Sequence, residues 1–166
     1  VSVEQGKQMN DYMAGAAAEV GLHYDFDRMI PTNTFLAHRF LHLAAAHGLQ
    51  DAAEERVFAA YFLEGKNVGD LGTLAQLGAE LGLDAAQVTR TLQTDAYTEQ
   101  VRLDEYEAQQ VGVRGVPFFV FNDKYAVSGA QPAELFLEVL EKVRSEEKPV
   151  AIAGQEGAAC DVDGNC

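Results

Sequence analysis

The sequence predicts an α/β chain in which a long helical stretch precedes a strand–strand–helix unit, and three observations lead there. Over residues 1–111 apolar residues recur at helical spacing in short segments punctuated by glycines. Phe118–Phe121 is continuously apolar, Asn122-Asp123 follows, and a second short run over 124–127 completes the pattern of a tight β-hairpin. After Pro132, which suits the first turn of a helix, Leu135, Val139 and Val143 form one buried stripe.

Taken in order, Ser2 with Gln5 is a capping-box pattern, and residues 3–20 carry enough Ala and Met to continue as a helix that Gly21 ends. Residues 22–31 mix aromatic and acidic side chains without a period and read as a loop. Asn33 caps a second helix through His47, with Leu36, Phe40, Leu43 and His47 on one stripe and Gly48 as its stop. Asp51 with Glu54 forms another box, opening a helix to about Leu63 that Gly65 terminates. Asp70 begins the next, with Leu71, Leu74, Leu77 and Leu81 at helical spacing before Gly82. Asp84 with Gln87 is a third box, and Leu83 against Val88 fits a hydrophobic staple. A sixth helix spans about Asp95 to Gln110 and stops at Gly112. No internal repeat is visible.

The hairpin makes a demand. A strand apolar on both faces must be covered on both, and two such strands alone do not form a stable sheet. Partner strands therefore have to come from elsewhere. Pro117 cannot donate to a ladder and belongs at the start of a strand or in a bend. An X-Pro bond is also the one place where a cis peptide costs only roughly 0.5–1 kcal/mol. A trans proline that simply opens the strand is the alternative. The chain divides into a helical domain over 1–111, a ββα part over 112–147 and, where Gly, Ala and small polar residues take over, a tail over 148–166.

With 26 acidic and 12 basic side chains the net charge is −14, which steers the chain away from nucleic acid and anionic membranes. The 48% hydrophobic content supports a folded core. No apolar run reaches the ~20 residues that span a bilayer, and no charged-then-apolar leader opens the sequence. A cytoplasmic protein is expected. Two cysteines do not make a disulfide scaffold.

Val113-Arg-Gly-Val-Pro-Phe-Phe119, the hairpin, and then Ser128-Gly-Ala-Gln131 with a terminal amphipathic helix resemble the C-terminal half of a thioredoxin-like fold of the DsbA type, specifically the FrnE-like subgroup. Asp25-Phe26-Asp27, Asn33-Thr-Phe-Leu-Ala-His-Arg39 and Ala60-Tyr61-Phe62 resemble the helical insertion of that subgroup. The resemblance runs from about residue 8 to residue 143. It implies a thiol–disulfide oxidoreductase or isomerase acting on protein or peptide thiols and disulfides, needing no cofactor, with Pro117 as a cis-proline lying against a redox-active dithiol. The strand, Cys-x-x-Cys helix and second strand that the family places ahead of the insertion have no counterpart here. Together with the opening on Val1, that leads us to expect an upstream segment carrying them.

At the level of residues, the missing N–H of Pro117 leaves the loop edge open, so the backbone of Val116 can hold an extended substrate as an added strand. Gly115 is expected to permit the turn, and Arg114 is either a solvated charge or a thiolate neighbour. Cys160 and Cys166 enclose five residues, close enough for a small disulfide ring. The resemblance implies an accessory redox pair; an inert tail is the other reading. Asp161 and Asp163 should raise the thiol pKa values and slow attack. Asp161-Val-Asp-Gly-Asn165 opens like an EF-hand loop but continues with Cys166, so calcium binding is not expected. His38 and His42 stand one helical turn apart with Arg39 between them and no third ligand, the pattern of a helix flank rather than a zinc site. Two other functions remain open. One is a glutathione-using isomerase or transferase of the same fold, like 2-hydroxychromene-2-carboxylate isomerase or a kappa-class transferase. The other is a peptide-binding chaperone without sulfur chemistry.

Overall fold

In the computed structural model, which describes residues 2–146, the first helix begins where its capping box predicts. The Ser2 hydroxyl accepts the Gln5 N–H and the Gln5 side chain accepts the Ser2 N–H, opening α1 (Val3–Glu19). Asn33 then satisfies the Phe35 N–H at 2.8 Å, although Thr34 occupies the cap position of α2 (Phe35–Ala46). Its buried face is Ala37, Arg39, Phe40, Leu43 and Ala44. His47, expected on that stripe, is exposed, because it is the C-cap residue, past the last turn of α2, and Gly48 at φ +71° follows it.

That turn also displaces the second expected box. The N–H groups of Gly48 and Leu49 bond back to Ala45 and Ala44, so α3 (Gln50–Phe58) starts at once, with Leu49 as its cap residue and Asp51 inside the first turn. Glu54 accepts instead from the Gln50 side chain at 2.9 Å. The helix continues as a single π-helical turn over Ala59–Leu63. Gly65 is required by its surroundings: it sits at φ +64°, and a Cβ there would lie 2.6 Å from the Arg28 carbonyl oxygen.

Asp70 caps α4 (Leu71–Glu80) through the Thr73 N–H, and Asp84 caps α5 (Ala85–Gln93) through the Ala86 N–H rather than in a box with Gln87. The sixth helix, α6, covers Thr98–Gln110 and starts later than its expected Asp95. The guanidinium of Arg39 accounts for the delay. Nearly buried, it donates to the carbonyls of Ala96 (2.7 Å) and Thr94, and holds them in a turn that ends on Tyr97 at φ +64°. Helices α2 to α5 enclose one core in which Phe40, Leu74, Leu77 and Val88 are fully buried. Burial of each such side chain stabilises by about 1.5–3 kcal/mol.

The second compact unit begins at Gln109, the first ending at Ala108. It holds β1 (Phe118–Phe121), β2 (Tyr125–Ser128) and α7 (Ala133–Glu146). The antiparallel register sets Phe118 opposite Ser128 and Phe121 opposite Tyr125, one residue later than the expected second run. Asn122 and Asp123 both have positive φ, and the Lys124 N–H closes the turn on Phe121. Phe136 packs edge-on against Phe119 at 4.8 Å, so one sheet face is covered by α7. In the expected α7 stripe, Phe136 takes the place of Leu135, which is exposed, while Val139 and Val143 are half-buried. The opposite sheet face is not covered by the described residues: Val120 is 44% exposed. The tail, with Cys160, Cys166 and the EF-hand-like segment, lies outside the described residues.

Candidate functional site

Strand β1 starts immediately after Pro117, and the Val116–Pro117 peptide is cis. The Pro117 carbonyl accepts the Gly129 N–H at 2.8 Å, which ties the loop to the end of β2. Gly129 reaches that position at φ +83°, a conformation open to a residue without Cβ. Gln131 then donates its side-chain amide to the Ser128 carbonyl at 2.9 Å and fixes the turn. Ser128-Gly-Ala-Gln131 is therefore the clasp of the proline loop. Its mark in the sequence is a glycine two residues ahead of a glutamine, just before the proline that precedes α7.

Beyond the clasp, Val116 is 89% exposed, and neither its N–H nor its carbonyl is bonded among the described residues. With Pro117 lacking a donor, this rim has the chemistry of an open strand edge. Arg114 is exposed, with no ion-pair partner among the described residues. Gly115 has no positive φ, and a Cβ there would meet open space, so the expected need for glycine at that position is absent.

In the helical unit, signatures far apart in sequence meet on the π turn. The Asp25 N–H bonds to the Phe62 carbonyl at 2.9 Å, and Arg28 Nη2 donates to the Glu64 carbonyl at 3.1 Å. Tyr24 stacks on Phe62 at 4.7 Å, while Phe26 and Tyr61 meet the same ring edge-on. His42 Nε2 lies 2.7 Å from Asp104 Oδ2, and its ring is parallel to Tyr97. His38 is exposed and has no such partner. Among the described residues no group of three or more His, Cys, Asp or Glu side chains is placed to hold a metal ion, and no helix is long and apolar enough to cross a membrane.

Comparison with known proteins agrees with this architecture. The chain is 30% identical over 134 residues to the uncharacterised protein YwbO of Bacillus subtilis (strain 168), a match covering 80% of the chain and 64% of that relative's length. A crystal structure of a probable DsbA oxidoreductase from Streptomyces coelicolor superposes with a TM-score of 0.82 at 38% identity, covering 100% of this chain and 71% of that one. A candidate protein disulfide isomerase from Nitrosomonas europaea shares the fold, with a TM-score of 0.72 at 17% identity over 89% of this chain and 78% of that one. The family model described as a DSBA-like thioredoxin domain matches residues 2–141. With its helical unit, its clasped proline loop and its terminal ββα arrangement, the chain belongs to the DSBA-like thioredoxin-domain family.

Proposed function

We propose that the chain contributes the helical insertion (1–111) and the C-terminal ββα part (112–147) of a FrnE-like thiol–disulfide oxidoreductase or isomerase acting on polypeptides, with 148–166 as a cysteine-bearing tail. The observation that carries this reading is the rim at Val116, an exposed backbone edge with both hydrogen-bonding groups unused beside a proline that cannot pair. An extended substrate docks there through main-chain bonds.

The exchange it serves has two steps. An enzyme thiolate attacks one sulfur of the substrate disulfide, forming a mixed disulfide while the other substrate sulfur leaves as a thiolate. A second enzyme thiolate then attacks the mixed disulfide, which releases the dithiol substrate and leaves the enzyme pair oxidised. Within the sequence only Cys160 and Cys166 are cysteines, and with Asp161 and Asp163 beside them in sequence they are expected to be poor attacking groups. We assign them an accessory role and the attacking dithiol to residues outside this sequence. The sparse cysteines accord with a reducing, cytoplasmic setting.

Alanine at position 117 would add an N–H donor to the rim and hold a bound strand longer. Pro117→Ala in the complete protein is therefore expected to accumulate reductant-sensitive mixed disulfides with substrate polypeptides. Unchanged turnover without such species overturns the assignment. Cys160→Ser is expected to leave most exchange activity in an insulin-reduction assay, and complete loss would make the tail pair the primary dithiol.

A further inference from the structure

We propose that the helical unit binds an amphipathic monocarboxylic acid in two adjoining cavities that share Thr34 and His38 in their walls. This does not rest on the sulfur-exchange reading. One compartment, of about 360 Å³, is walled chiefly by apolar side chains, among them Leu41, Val57, Phe62 and Val68. The other, of about 320 Å³, is polar and has Arg102 in its wall. An apolar chamber of this size with a few polar groups at one end is the usual form of a small-molecule site.

Several features of the walls define the ligand. The π turn at Ala59–Leu63 contributes Tyr61 and Phe62 to the apolar compartment, and single π turns recur at functional sites. The His38 imidazole lines both compartments and has no hydrogen-bond partner among the described residues; the Tyr61 hydroxyl has none either. Arg102 spends Nη1 on Glu105 and lies over the Phe35 ring at 4.6 Å, which leaves Nε and Nη2 to meet a carboxylate. Of the two carboxylates in the walls, Glu54 accepts from the neutral Gln50 amide and Glu105 takes one edge of Arg102, so a ligand carboxylate shares that guanidinium with Glu105. Arg102 is the one lysine or arginine in these walls, so the head lies at Arg102 beside His38 and the apolar body lies in the compartment lined by Val57.

The test is a titration of the full chain with decanoate and, separately, decanol, followed by backbone amide NMR. Saturable shifts at Ala37, His38, Val57 and Val68 are expected for both. Arg102→Gln should weaken decanoate by roughly tenfold, the worth of one charge-assisted bond, and leave decanol unchanged. Val57→Phe, which fills the apolar compartment, should weaken both ligands; should that variant fail to fold, Leu41→Phe at the cavity edge serves in its place. Shifts confined to the exposed apolar side chains Met9 and Tyr12 or Leu137 and Leu140, no saturation, or equal weakening of both ligands by Arg102→Gln overturns the proposal. So does tighter binding of a tripeptide ending in leucine, which would assign the site to a polypeptide C-terminus.

Discussion

The two units of this chain carry similar apolar patterns and use them differently. In the helical unit α2 to α5 close around Phe40, Leu74, Leu77 and Val88 and leave them no solvent contact. In the ββα unit Val127 is the one buried side chain among the described residues, and α7 buries none. Alternation along β1 sends Phe119 and Phe121 toward Phe136 and sends Phe118 and Val120 the other way. The difference is one of layers. Four helices supply the faces that carry Phe40, Leu74, Leu77 and Val88 with opposing ones, whereas a hairpin with a single helix supplies cover to one face of two.

The contrast is broken most forcefully by truncating matched side chains. Leu77→Ala removes a fully buried group from a closed core and should cost about 2–5 kcal/mol. Phe136→Ala removes a larger ring that is only partly buried, and its cost should fall below that of a fully buried aromatic. Urea denaturation with amide exchange read separately in α4 and in the hairpin checks both. Equal costs would mean that the ββα unit has a closed core of its own.

What the sequence shows of this arrangement depends on how local the cause is. Ser2, Asp70 and Asp84 cap helices because a short polar side chain satisfies an N–H two or three residues on, a relation visible in any window of the sequence. The hairpin was legible for the same reason. The start of α6 was not, because the groups that hold 94–97 out of the helix belong to Arg39, more than fifty residues away. The π turn left no mark either, since its extra residue is accommodated by Tyr24 and Asp25 packing and bonding to Phe62 from a loop without periodicity. At the candidate site Pro117 could be read directly. So could the open backbone of Val116, which follows from the missing N–H beside it; the clasp leaves only Gly129 and Gln131 ahead of Pro132 as its mark, residue types that do not name the Pro117 and Ser128 carbonyls they bond.

Acid offers a finer probe of the helical unit. Arg56 joins three elements, donating to Glu80 on α4 at 2.5 Å and to Glu64, just past the π turn, at 2.9 Å, with Lys66 also 2.8 Å from Glu64. The hydrogen bond from Arg56 holds the Glu64 carboxyl below its ordinary value of 4.5, and Lys66 adds to the effect. Glu80 is lowered too, first by the same guanidinium, and the Arg56 pKa is correspondingly raised. A carboxyl whose pKa is lower in the folded state contributes stability that is in force above 4.5 and is lost as pH falls through the folded value. The helical unit should therefore lose stability steadily below pH 4.5. Arg56→Met should flatten that slope, as measured by urea midpoints between pH 6 and pH 3. A slope that survives the substitution would shift the acid sensitivity to other carboxylates.

The smallest expected effect lies in the other unit and tests whether its stability has an electrostatic part at all. The Tyr125 hydroxyl donates to Glu146 at the end of α7, Lys124 stands 3.5 Å from the same carboxylate, and Lys142 lies over the Tyr125 ring at 4.6 Å. The tyrosine hydrogen bond, followed by Lys124, lowers the Glu146 pKa, so its contribution is again present above 4.5 and lost in acid. Lys124, Lys142 and Glu146 face solvent, where such pairs are worth little and salt screens them. Glu146→Gln keeps an acceptor for Tyr125 and removes the charge. Amide protection in the hairpin should fall slightly at pH 7 and low salt, match the wild type below the folded pKa of Glu146, and converge with it in 1 M salt. Protection that drops equally at every pH and salt concentration would show that Glu146 acts through packing, and the ββα unit would then depend on its few apolar contacts alone.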